Sequence, residues 1–250
     1  MKKAIVVFAA MVLLAAPAFG DYYGGRVWYA RIGGYFAGNG GEFTLKNDGP
    51  PGLLLSNAAY SPLTKAQDGN AESFQTFCVE GAEYVAQPMD IVVSTTFVNE
   101  ANGTVLAGLG SHAILGNKPN GDNLDPQTAY LYTKFATGTL AGYNYAAGAG
   151  RIASAGALQQ AIWFIEGEAG GANNAFAALA LDATTVGGNT DEWVGKGIGD
   201  VRVLNTWTPA HVGELAYKQQ DQLYMVPAPA AIGLGMLGLG LVGWYMRRFA

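Results

Sequence analysis

Residues 151–166 read RIASAGALQQAIWFIE, with apolar side chains at Ile152, Ala155, Leu158, Ala161, Ile162 and Ile165. Spacings of three and four put these on one face of a helix. The flanks of this helix read differently. Residues 26–32 (RVWYARI), 41–46 (GEFTLK), 73–80 (SFQTFCVE) and 91–98 (IVVSTTFV) mix β-branched and aromatic residues, as strands do. Asn47-Asp48-Gly49-Pro50 ends the second of them in a turn. Nearer the helix, residues 126–136 are rich in helix formers, with Asp125 as the expected cap and Pro126 at the first helical position. Residues 174–181 predict a short third helix, and strands resume at 201–204 and 222–226. The fold expected is α+β: a β-rich single domain, barrel or sandwich-like, with a helical insertion.

Composition narrows the function classes. Half of the 250 residues are apolar and 12% are aromatic, so the chain has the material for a core. Fourteen basic residues face 19 acidic ones, a balance that speaks against nucleic-acid binding. One cysteine excludes an intramolecular disulfide framework, and two histidines speak against a His-based metal site. No metal and no cofactor is expected.

The two ends read as targeting segments. Lys2 and Lys3 precede an apolar run of 13 residues from Ala4 to Ala16, and Ala18-Phe19-Gly20 presents small residues for cleavage before Asp21. This predicts a signal peptide over 1–20. At the other end, 19 residues from Ala228 to Met246 carry no charge and are followed by Arg247 and Arg248. That length spans a bilayer, with the arginines held on the cytoplasmic side. Four of the 14 basic residues and none of the 19 acidic ones lie in these ends, so residues 21–226 carry 10 basic and 19 acidic groups, a net −9.

Val226-Pro227-Ala228-Pro229, the Gly/Leu-rich segment and the terminal Arg247-Arg248 together resemble the bacterial PEP-CTERM sorting signal, with Ala228 standing where that family usually has Glu. The resemblance implies processing of residues 227–250 by an exosortase-type sorting enzyme. It also implies a membrane-anchored precursor and delivery to the cell surface or an extracellular, biofilm-type matrix.

Two internal strings carry a second resemblance. Phe77-Cys78-Val79-Glu80 and Leu158-Gln159-Gln160-Ala161-Ile162-Trp163 together are similar to the thioester domains (TQXA-like) of bacterial surface adhesins, with Leu158 in place of the usual Thr. In that family the Cys and the first Gln are joined by a side-chain thioester, which implies Cys78 and Gln159 here, with Glu80 and Trp163 as supporting residues. The chemistry is sound: a thiol attacks the carboxamide carbon, ammonia leaves, and the stored electrophile later acylates an amine or hydroxyl on a partner surface. Gln159 shares a helix face with Ile152, Ala155, Ile162 and Trp163, which would exclude water. A single turnover of this kind is adhesion, not enzymatic catalysis.

Plainer readings stand beside it. Cys78 is equally readable as an inert buried thiol, Gln160 as the alternative partner, Glu80 as an exposed strand carboxylate and Trp163 as a core anchor. The chain then becomes a non-reactive structural protein of the cell surface or exopolysaccharide matrix. A Cys-His hydrolase would pair Cys78 with His112 or His211, which no spacing supports. Asp122, Asn123 and Asp125 do not match a calcium loop and read as a turn feeding the helix at Pro126.

Overall fold

The computed structural model describes residues 22–227 other than 32–33, 39, 49–54, 66–71, 82, 95–96 and 100–120. The expected signal peptide (1–20), the apolar segment 228–246, and Ala228, Pro229, Arg247, Arg248 and His112 lie outside the described residues. No helix among the described residues is long and apolar enough to cross a membrane. Residues 21–226 form one compact unit.

The domain is α+β. Ten strands are described: β1 (Tyr22–Ala30), β2 (Phe36–Ala37), β3 (Gly40–Gly41), β4 (Phe43–Asn47), β5 (Phe74–Thr76), β6 (Met89–Ser94), β7 (Phe97–Asn99), β8 (Gly121–Asn123), β9 (Val201–Trp207) and β10 (Lys218–Met225). Between β8 and β9 come α1 (Pro126–Ala136), α2 (Ala149–Ile165) and α3 (Ala175–Thr184). Six strands make one antiparallel sheet in the order β10-β9-β6-β1-β4-β5. β2–β3 and β7–β8 are separate two-stranded hairpins.

The sheet curls until its two edges meet. After β5 the chain leaves β4 and bonds to β10 instead: Val79 N donates to the Asp221 carbonyl (3.0 Å), Leu223 N donates to the Phe77 carbonyl (3.1 Å), and Cys78 bridges Gln222. This junction lies in the interior, where a bare strand edge would leave backbone groups without water or partner. α1 seals it. The Tyr132 hydroxyl lies 3.1 Å from the Gln75 carbonyl and 3.0 Å from that of Leu223, one on each side of the seam. Phe135 meets Phe77 edge-on with centroids 4.9 Å apart. The seven residues of β10 from Gln219 to Met225 are all buried, because both faces of this strand are covered.

Local chemistry accounts for the helices. α1 begins at Pro126, whose missing N–H costs nothing at a first turn. Asn174 caps α3 by accepting from Phe176 N (3.0 Å), and its Nδ2 donates to the Ala157 carbonyl (2.8 Å), tying α3 to α2. α2 packs on the β2–β3 hairpin and is fixed at its start by a buried ion pair. Arg151 Nε and Nη2 donate to the two Glu42 oxygens at 2.6 and 2.7 Å, and Tyr143 Oη donates to Glu42 Oε1 at 2.6 Å. Both charged side chains are all but fully buried.

Four expectations need correction. Asp125 occupies the N-cap position without a side-chain capping hydrogen bond. The strand expected over 73–80 ends at Thr76 in its first ladder, because the edge then changes partner to β10. The run 91–98 splits between β6 and β7, which pair in different sheets; an apolar run does not encode such a switch. Glu80 is buried, not exposed, because the chain after the seam turns inward.

Replacing Arg151 with Ala leaves the Glu42 carboxylate buried and uncompensated, which costs about 3–5 kcal/mol. The midpoint of urea unfolding should fall accordingly, and Glu42→Gln combined with Arg151→Met should restore part of the loss. Equal midpoints for wild type and Arg151→Ala would remove the pair from the stability of the fold.

Candidate functional site

Cys78 stands at the seam of the sheet, and Gln159 stands in the middle of α2, facing it. Each side chain is fully buried. The Cys78 sulfur lies 3.1 Å from Gln159 Oε1, Cys78 N donates to the same oxygen at 3.3 Å, and Gln159 Nε2 donates to the Cys78 carbonyl at 2.8 Å. The carboxamide is thus clamped against the residue that carries the thiol, with a backbone N–H aimed at its oxygen. Cys78 is in no disulfide. Gln160, the alternative partner, is exposed on another face.

Close backbone approach holds the amide in place. A Cβ on Gly40 would drive into Gln159 and come within 2.9 Å of the Trp163 ring, so β3 lies flat on the α2 side chains only because residue 40 is glycine. Gly81 sits against the Ala169 backbone in the same way, and its N–H donates to Glu168 Oε2 at 3.0 Å. The loop after α2 therefore covers the chain just past Cys78.

Burial pushes the Cys78 thiol well above its ordinary range, and the Glu80 charge adds to this. Its own backbone N–H, the Trp163 indole and Arg31 act in the opposite sense. Trp163 is buried, and its Nε1 makes no hydrogen bond within normal reach, yet it is near enough to the sulfur to favour a thiolate. It is both a core side chain and a wall of the site.

Glu80 lies two residues past Cys78 and accepts from Asp221 N at 2.7 Å through Oε2, while its buried Oε1 has no hydrogen-bond partner. Burial, then the charge of Asp221, holds its carboxyl well above the usual carboxylate range; Lys218 opposes this. Lys218 is buried and paired with Asp221, whose carboxylate also accepts from Asn205 Nδ2 (2.6 Å) and Thr206 N (3.0 Å). This polar knot behind the thiol was not legible in the sequence, because its members come from β9, β10 and the segment after β5.

The remaining candidates do not join the site. His211 stacks on Tyr217 with centroids 3.8 Å apart and has its Nδ1 3.2 Å from Glu214 Oε1. Among the described residues no three His, Cys, Asp or Glu side chains are grouped to hold a metal ion, and Asp125 is buried at the start of α1. Val226 donates its N–H to the Asp200 carbonyl at 2.9 Å, and Pro227 is the last residue described. Arg151 and Glu42, which set the position of α2, escaped the sequence reading; a lone Arg opening an apolar helix and a Glu following Gly40-Gly41 were the available signals.

No family model, no curated protein and no solved structure matches the chain.

Two outcomes check this geometry. Gly40→Ala should displace the Gln159 and Trp163 side chains, lower stability by about 1–3 kcal/mol and raise the native-state reactivity of Cys78 toward a thiol reagent. A silent, equally stable variant would mean that β3 does not press on Gln159. For Glu80, the folded state keeps a proton that the unfolded chain releases near its ordinary value of 4.5. The associated stability is therefore full below that pH and is lost as pH rises through the elevated folded value. Melting temperature should fall more steeply between pH 5 and 8 (about that range) in wild type than in Glu80→Gln; parallel profiles would contradict this.

Proposed function

We propose that the chain is an exported surface or matrix protein whose Cys78 and Gln159 form an internal thioester that attaches it covalently to a nucleophile on a partner. The observation that carries this reading is the mutual clamp of a fully buried thiol and a fully buried carboxamide, with Cys78 N donating to Gln159 Oε1. In the forming step the sulfur attacks the Gln159 carboxamide carbon. A C–S bond forms, the C–N bond breaks, and the thiol proton leaves with the nitrogen as ammonia. The negative charge that gathers on Oε1 meets a donor already in place. Clamping both partners on the closed seam and on α2 supplies the proximity an unreactive amide needs. Each molecule would react once with its partner, so the protein is not a turnover enzyme. The meeting of the sheet edges favours a barrel over a sandwich. Export and sorting at 1–20 and 227–250 rest on the sequence resemblance.

A second reading is favoured by one specific observation. Both polar atoms of the Gln159 amide are already hydrogen-bonded to Cys78, which also suits an inert interlock between sheet and helix in a structural matrix protein.

The intact mass of the purified chain separates the two. The thioester requires a mass one ammonia short in wild type, full mass in Cys78→Ala and Gln159→Ala, and addition of methylamine to wild type alone. A full mass, a titratable Cys78 and no conversion of Gln159 to Glu would sink it and leave the inert interlock.

A further inference from the structure

A strand alternates its side chains, so Lys218 and Asp221, three apart on β10, should face opposite sides of the sheet. The register of β10 on β9 shifts between Gln219 and Gln222, and that bulge brings the two together. Lys218 Nζ contacts Asp221 Oδ1, and both side chains are fully buried. The Trp207 ring covers the amine, its centroid 5.7 Å from Nζ. More carboxyl groups gather here than one amine can neutralise. Glu83 Oε2 is 3.6 Å from Nζ. Glu80 is fastened to Asp221 N at 2.7 Å through Oε2, and its buried Oε1 has no hydrogen-bond partner. We propose that Lys218 and Asp221 condense, with loss of water, into a side-chain amide that locks the bulge of β10, and that Glu80 carries the proton in that step.

Taking two charges out of water is costly, and the amide removes both at once. Nζ passes a proton to the carboxylate it touches, which leaves a neutral amine against a carboxylic acid. The nitrogen then attacks Asp221 Cγ. A C–N bond forms, the bond from Cγ to Oδ1 breaks, and Oδ1 departs as water with, in net, two of the three ammonium protons. Oδ2 stays as the amide carbonyl, and charge that gathers on it meets the Asn205 Nδ2 donor at 2.6 Å. Glu80 gives its proton to the departing oxygen and takes one from nitrogen, ending unchanged. Burial, then the Asp221 charge, favours the protonated form that this role needs. Holding amine and carboxyl in contact on one rigid strand supplies the proximity. The bond has a structural consequence. The Asp221 carbonyl accepts from Val79 N at 3.0 Å, so a bulge that cannot slip fixes the register of the seam beside Cys78.

The test is the intact mass and tryptic map of the purified Cys78→Ala chain, in which no thioester can form, so the result is independent of that reading. Expected is a mass one water short. The tryptic peptide that begins at Val203 should run uncut past Lys218 and carry the deficit between Lys218 and Asp221. The same peptide from wild type gives the result without the Cys78 substitution. Lys218→Arg keeps a cation but offers no amine to acylate, so it should show full mass and normal cleavage at residue 218. Glu80→Gln, still melting cooperatively, should have lost most of the deficit when freshly purified. Full mass with cleavage after Lys218 would overturn the bond and leave an ion pair. A deficit with cleavage after Lys218 would place the dehydration elsewhere and overturn it equally. A crosslink to Glu83 would overturn the choice of Asp221, and a complete crosslink in Glu80→Gln would overturn the role of Glu80.

Discussion

The closure of the sheet at the Cys78 seam is the constraint on which the rest depends. A curled antiparallel sheet leaves two edges, and here both edges turn inward, where water cannot satisfy them. Val79 N, the Asp221 carbonyl, Leu223 N and the Phe77 carbonyl pair across the gap. Thr76 Oγ1 adds a bond to the Leu223 carbonyl at 2.6 Å, and Tyr132 reaches both sides from α1. Moving Cys78 therefore means opening a buried edge, at a cost set by several unsatisfied backbone groups at once. The sulfur gains a fixed address from bonds that have nothing to do with sulfur.

The partner side chain gets its address from α2, which is held along its length. Arg151 anchors the first turn to Glu42, Gly40 presses on the middle at Gln159 and Trp163, and Glu166 at the far end accepts from Asp125 N at 3.2 Å. Glu42 follows Gly40 by two residues, so the same short stretch sets both the rotation and the depth of the helix. Eight residues separate Arg151 from Gln159, a rise of about 12 Å. A rigid lever of that length transmits the geometry of a buried ion pair to the carboxamide. Buried ion pairs are poor sources of net stability but good sources of register.

The sequence carried the class and the two central residues further than it carried their setting. The apolar spacing of 151–166 located α2 to within two residues at its start and one at its end, and Pro126 marked the start of α1, because local periodicity and proline geometry act within one segment. Strand runs were found, but not their partners. Nothing local to SFQTFCVE says that the chain changes from β4 to β10 between Thr76 and Cys78, and nothing local to IVVSTTFV says that it switches sheets. Glu80 was misplaced for the same reason. An acidic residue on a strand is usually solvated, and only the arrival of β10, with Asp221 N to bind it, makes burial tolerable. Long-range pairing, not propensity, decided each of these points.

Unmet polar atoms surround the Cys78–Gln159 pair as well as other parts of the described core. The Cys78–Gln159 clamp satisfies its own donors and acceptors and, as a mere fastening, needs nothing further. Around it, however, Glu80 Oε1, Trp163 Nε1 and Tyr29 Oη are buried without partners, each at a cost of about 1–3 kcal/mol. An apolar wall would be cheaper in every case: Phe for Tyr29, Leu for Glu80, Phe for Trp163. Unpartnered groups scattered through a fold reflect local packing compromises. Here the Glu80 carboxyl, an indole N–H and a phenol are electrostatic neighbours of one buried thiol. The inert interlock leaves them as packing compromises, like those at Thr128 and Trp207, whereas the thioester proposed above would set a changing charge among them.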